Sequence, residues 1–381
     1  MKTPLVTHLG QPSWTLQNGS VSARVTRTAG MLGPVEFRLP DQRRISPLAV
    51  PPWAGETLPA GLPPLLHALR GDFFCAPFGG NGTAYRGEQH PPHGESANRD
   101  WTLDETIQAG DALTLHAHLT TNVRPGRIDK RLTVREGHTA VYCEHLLQGY
   151  RGSMPLGTHP CVAFPEEEGA GRVSVGGWAW GQVLPMPFEL PAQRGYSSLE
   201  TGARFRSLDR VPLAVGGFAD LSRYPARKGF EDLVMLVGAG KGAFGWSAVA
   251  FPDQRYVFLQ VKNPRVLRHT VLWHSHGGRH YAPWNGRHTS VLGLEEVTSY
   301  FHLGLAESVK DNPMNMKGID TAVTFPSRRP LRVAHILAVV AIPRGFDQVA
   351  DVRSVPGGAE LVAASGVSVR TPLDLGFVAD S

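Results

Sequence analysis

Cysteine is scarce in this sequence: Cys75, Cys143 and Cys161 lie far apart among 381 residues. An odd count without a Cys-x-x-Cys pair argues against a disulfide framework and against a thiolate zinc site. Long apolar runs are missing as well. The longest, Ile336–Ile342, falls far short of the roughly 18 residues that cross a bilayer, so it reads as a buried strand. The opening MKTPLVTHLGQPSW has one lysine and no extended apolar core, so it does not read as a secretory signal. A soluble cytoplasmic protein is the expectation. Charge of one sign is not concentrated either: 38 basic and 33 acidic residues give a net +5, with no Lys/Arg-rich run to follow a phosphate backbone. Nucleic acid and membrane are therefore set aside as partners, and nothing in the sequence assigns an oligomeric state.

Amphipathic helices are also nearly absent; short helical turns fit only near Leu65–Leu69 and Ala306–Lys310. What is abundant is glycine and proline, 43 and 31 residues, about a fifth of the chain. That is well above the usual ~12%, and the two are scattered between short apolar runs. Such punctuation marks many strands joined by tight turns. Period-two patterns agree. Leu113, Leu115, Ala117 and Leu119 share one face of a strand, with Thr114, His116 and His118 on the other. Arg131–Val134 and Thr139–Leu147 flank a turn containing Gly137 and read as a hairpin. Similar runs recur at Val21–Val25, Arg172–Val175, Leu233–Val237, Ala248–Phe251, Tyr256–Gln260, Val271–Trp273 and Ala334–Ile342. There is no internal repeat and no linker. The proline-dense stretch Pro47–Pro64 carries Trp53 and is expected to pack over the body, as is Val183–Gly195. The expectation is an all-β chain, one domain over residues 1–381, built as a large antiparallel sandwich.

Four segments hold the residues that could do chemistry. LRGDFFCAPFG (Leu69–Gly79) contains Arg70, and HGESANRDW (His93–Trp101) opens on His93. GTHPCVAFP (Gly157–Pro165) sets His159 before a proline, which pushes its backbone towards an extended strand or loop edge. VLGLEEVTSYF (Val291–Phe301) carries the adjacent Glu295 and Glu296, which alternation sends to opposite faces. A fifth stretch, WHSHGGRHYAPWNGRH (Trp273–His288), is rich in histidine and in aromatics. Metal ligation by His274 and His276 needs a convergent third ligand. Trp273, Tyr281 and Trp284 suit stacking on a sugar ring instead, and no metal is assigned.

In this order the motifs, with the run Arg127–Pro165 between them, resemble the aldose 1-epimerases (galactose mutarotases) and the related hexose-6-phosphate epimerases. The resemblance spans roughly Val21 to Ser308. It implies a galactose mutarotase-like β-supersandwich with a sugar cleft, His159 as general acid and Glu295 as general base. It makes Arg70 and His93 substrate-binding residues and implies no cofactor. Hexose-6-phosphate epimerases usually carry an arginine four residues past the histidine, where this chain has Ala97; Arg99 lies close but out of register and is kept as a binding candidate. The family's sugar-binding aspartate has only positional counterparts, Asp209 and Asp232. Trp273 and Trp284 complete the expected site.

The implied activity is interconversion of the α and β anomers of a hexose or related sugar. The anomeric hydroxyl loses a proton while the ring oxygen gains one, the ring opens, the carbonyl end rotates, and the ring closes on the other face. A carboxylate and an imidazole can exchange these roles. The alternative is a carbohydrate-binding protein that keeps the cleft without turnover; a metal-dependent enzyme built on the histidine-rich stretch is a third reading.

Overall fold

A computed structural model of the chain describes residues 3–240, 242–326 and 329–379. Two large antiparallel sheets are stacked face to face. The larger has nine strands, with Tyr256–Lys262, Leu331–Ala341 and Ala140–Gln148 at its centre and Arg223–Tyr224 and Thr102–Ala109 at its edges. The second runs from Arg204–Phe205 through Trp178–Val183, Phe230–Gly238, His269–His276 and Val291–Thr298 to Leu156–Thr158 and Phe74–Cys75. Cys161–Ala163 also pairs with Val291–Thr298. The two α-helices among the described residues are single turns, Pro64–Ala68 and Leu305–Val309, where short turns are expected. No helix among the described residues is long and apolar enough to cross a membrane.

The predicted strands all form, and the hairpin pairs Val134 with Val141. In Ala112–Thr121 the alternation survives: Leu115, Ala117 and Leu119 are buried while His116 and His118 are half-buried on the other face. In the centre it disappears, because the strands are covered on both sides. Every residue of Tyr256–Lys262, His269–His276 and Val291–Thr298 is buried. There the pleat decides only which of two interiors a side chain enters.

Those interiors are distinct. Leu272, Leu292 and Leu294 share the layer between the sheets with Phe258, Leu337 and Val339. On the other face of the second sheet, Leu233, Met235, Val271 and Val297 pack with Trp53, Phe73 and Phe78. On the outer face of the nine-stranded sheet, Ala248, Leu259 and Ile336 are covered by Val352, Leu361 and Val378. Each fully buried Leu or Phe contributes about 1.5–3 kcal/mol, so all three layers hold the sheets in register. The segment after Arg329 thus supplies a central strand and a three-stranded cover, Val349–Val355, Gly358–Ala363 and Ser368–Pro372, on the outer face of the nine-stranded sheet. The proline-dense stretch packs over the second sheet as expected: Trp53 is 1% exposed, and its Nε1 donates to the carbonyl of Leu66 at 2.9 Å.

Candidate active site

Period two on Val291–Thr298 separates the adjacent glutamates. Glu296 enters the layer between the sheets, where its carboxylate pairs with Lys262 and accepts from Thr270 Oγ1 at 2.8 Å. Glu295 enters the opposite interior and lines a cavity of about 250 Å³. Both are buried, so neither is the solvated carboxylate that a strand end would hold. Gly293, on the same face as Glu295, leaves that floor open: a Cβ there would come within 2.5 Å of Glu295 Oε1.

His159 arrives from the short link between Leu156–Thr158 and Cys161–Ala163, the extended backbone that its proline neighbour predicts. Its Nε2 lies 3.2 Å from Glu295 Oε1. Phe73 stacks on the imidazole with centroids 4.5 Å apart and planes 16° from parallel. His93 meets it edge-on at 5.1 Å. His93 itself is held at φ 58°, a left-handed conformation uncommon for a side-chain-bearing residue and often kept at functional sites. Trp273 and Trp284 form further walls, their rings 5.7 Å apart and nearly perpendicular.

Residues that sequence reasoning did not single out complete the cavity. Arg279, inside the histidine-rich stretch, lies among the rings of Phe188, Trp273 and Trp284 at 4.7–5.2 Å. Its Nε donates to Glu189 Oε1 at 2.6 Å, and Glu189 also accepts from the hydroxyl of Tyr281 at 3.1 Å. Behind the indole, Glu231 accepts from Trp273 Nε1 at 2.9 Å and Ser275 Oγ at 3.0 Å, which fixes that wall. His302 also lines the cavity. The one available signal was the aromatic density of residues 273–288; Glu189, Glu231 and His302 sit in segments with no local pattern.

Burial dominates the electrostatics. It pushes Glu295 well above the usual carboxylate range, opposed only by Arg279. It pulls His159 down to about 4, and His302 likewise to about 4. It raises Glu231 to about 7. Arg279 behaves oppositely: burial works against its charge, but Glu231 and Glu189 beside it raise its pKa. Burial thus favours the protonated form of Glu295 and the neutral form of His159, and Arg279 is the fixed cation of the wall.

Two expectations need correction, and the positional candidates for an aspartate lie outside the cavity. Arg70 does not reach the cavity. Its guanidinium donates to the carbonyls of Ala68 at 3.0 Å, His8 at 3.2 Å and Leu9 at 3.0 Å, so it clamps the N-terminal strands. Arg99 is also elsewhere, paired with Glu95 at 2.9 Å and with the carbonyl of Thr120 at 3.0 Å. Neither aspartate faces the cleft: Asp209 is exposed, and buried Asp232 accepts from the backbone N–H groups of Ser198 and Leu199 at 2.8 and 3.0 Å.

His274 and His276 do share a face, but it is the face turned away from the cavity. His276 Nδ1 accepts the N–H of Ser290 at 3.0 Å. Among the described residues, the groups that could converge on a metal are Asp72–Cys143–His335 and Asp104–His116–Asp129. Neither includes a histidine of residues 273–288. In the second, the Arg127 guanidinium already lies against Asp129 at 2.7 Å and Asp104 at 3.3 Å.

Two stacked antiparallel sheets, with a cleft on the outer face of the second, make this a galactose mutarotase-like fold. No protein-family model and no curated protein matches the sequence. Solved structures do. A galactose mutarotase-like protein from Clostridium acetobutylicum aligns with TM-score 0.57 and 11% identity, over 90% of this chain and 99% of that one. A galactose mutarotase related enzyme from Lactobacillus acidophilus gives TM-score 0.54 and 11% identity, over 86% and 97%. An aldose epimerase homologue from C. elegans gives 0.51 and 12%, over 87% and 100%. At these identities the likeness is one of fold.

Proposed function

We propose that this protein is an aldose 1-epimerase-type isomerase that interconverts the anomers of a hexose or closely related sugar. The observation that carries the reading is the 3.2 Å contact between His159 Nε2 and Glu295 Oε1 in an aromatic-walled cavity. The two reacting oxygens of a pyranose, the ring oxygen and the anomeric hydroxyl, are bonded to the same carbon. An acid and a base that serve both must sit side by side, not across a wide cleft.

One shared proton suits this reaction. The proton that burial favours on Glu295 passes to His159 across their 3.2 Å contact as the sugar binds; the imidazolium then protonates the ring oxygen while Glu295 takes the proton of the anomeric hydroxyl. The ring opens to the aldehyde, which rotates, and closure runs the same transfers with the roles exchanged. Atoms and charge balance through proton transfers alone. Trp273 and Trp284 offer apolar faces to the sugar's C–H surface. Arg279, with its Nε already taken by Glu189, offers its terminal nitrogens as a donor fork for hydroxyls. His93 closes the side next to His159.

The test is exchange NMR or polarimetry on purified protein across free hexoses and their phosphates. Acceleration of anomer exchange for at least one sugar supports the proposal. Tight sugar binding with exchange no faster than in buffer would replace it with a carbohydrate-binding protein on the same fold.

A further inference from the structure

Beneath His159, the layer between the sheets holds charge where apolar side chains would fill the space at lower desolvation cost. Asp72 is 4% exposed, and its Oδ1 accepts the backbone N–H of His159 at 3.0 Å, a donor it shares with the carbonyl of Phe73 at 3.0 Å. Its Oδ2 accepts from Nε2 of His335 at 3.0 Å. His335 stands on Leu331–Ala341 in the middle of the nine-stranded sheet, whereas Asp72 lies just ahead of the edge strand Phe74–Cys75 of the second sheet. The ion pair thus spans the two sheets and ends on the backbone of the residue whose ring meets Glu295.

Asp72 has little freedom to be elsewhere. Its own N–H and C=O pair with Leu32 at 3.0 and 2.8 Å. Gly71 before it adopts φ 58°, and a Cβ there would lie 1.8 Å from the carbonyl oxygen of Leu32. Only glycine lets the chain pass at that point. Burial opposes the charge of His335, yet Cys143 and Asp72 beside it push its pKa up to about 10.

We propose that Asp72, held by His335, is a positioning residue for His159: it fixes the backbone at 159 and so the approach of the imidazole to Glu295. The proposal rests on the reading of His159 and Glu295 as the acid–base pair. Misplacing a reacting group by about 1 Å can cost on the order of 10²-fold in rate, so a restraint remote from the sugar can still govern turnover.

Three variants test it. Asp72→Ala removes both side-chain contacts and leaves the His159 N–H with the carbonyl of Phe73 alone, Asp72→Asn keeps an acceptor for that N–H but loses the charge facing His335, and His335→Gln keeps a donor towards Asp72. The expected result is a kcat lowered by up to about 10²-fold in Asp72→Ala with sugar affinity little changed. Asp72→Asn should be intermediate, and His335→Gln should retain most activity. The imidazole ¹⁵N signals of His159 should shift in Asp72→Ala although the substitution touches only its backbone. If Asp72→Ala does not fold, Asp72→Asn decides. Wild-type kcat with unmoved His159 signals in a folded Asp72 variant overturns the proposal, as does a loss confined to sugar affinity. If the wild-type protein exchanges no sugar, the enzymatic reading fails by itself, while the His159 signals still report whether Asp72 positions the ring.

Discussion

Glu295 and Glu296 are adjacent, chemically identical and almost equally buried, yet the pleat gives them different neighbours, so the same substitution at each should have opposite consequences. Glu295→Gln keeps the side chain's volume and a polar contact to His159 across the 3.2 Å gap, but it removes the group that exchanges a proton. Positioned acid–base catalysis is worth about 10²–10⁴-fold, which is about 3–5 kcal/mol of barrier. Exchange should fall by that factor, with sugar affinity and thermal stability close to wild type. Glu296→Gln leaves the cavity intact but takes the counter-charge from Lys262, whose side chain is 6% exposed in the layer between the sheets. Breaking a buried ion pair from one side costs roughly 3–5 kcal/mol. This variant should melt at a clearly lower temperature while the folded fraction turns over normally. Exchange NMR at low temperature, paired with denaturant unfolding, separates the two effects. Wild-type exchange in Glu295→Gln, or lost exchange in a fully stable Glu296→Gln, would refute the assignment of faces on which the site is built.

The pH profile should reflect burial. His159 is held neutral down to about 4, so kcat/KM should show no acid limb near 6.5, where an exposed histidine titrates. It should fall only as pH approaches 4, when the pair takes a second proton, and again on the alkaline side above the ordinary carboxylate range, when Glu295 loses the shared one. A profile with an acid limb near 6.5 would contradict the dry cavity. Arg279→Lys should weaken sugar binding by about 1.5–3 kcal/mol, read by titration calorimetry, because an ammonium cannot keep Glu189 and also present a planar fork. Arg70→Met should lower stability through three lost carbonyl partners and leave sugar affinity unchanged; an affinity loss matching that of Arg279→Lys would return Arg70 to the site.

Much of this architecture is local in origin and therefore readable from the chain. The density of Gly and Pro, the alternation in Leu113–Leu119 and the turn at Gly137 each act over a few residues, and the strands form where they point. Thr158–Pro160 is extended because a proline restricts the residue before it, and Glu295 and Glu296 diverge because a strand alternates. Tertiary structure decided which interior each face meets. His274 and His276 share a face, but the second sheet turns that face to the buried layer, away from the aromatics that flank them in sequence. Arg70 reads as a sugar-gripping cation by its motif, yet the carbonyls of His8, Leu9 and Ala68 hold it first. Arg279 stands close to Trp273 and Trp284 in the sequence, but it is held by Glu189 from a distant segment, and it is the cation that reaches the cavity. Periodicity assigns a side chain to one side of its own strand; what waits on that side is set by which sheets stack, and that depends on pairings between residues far apart in the chain.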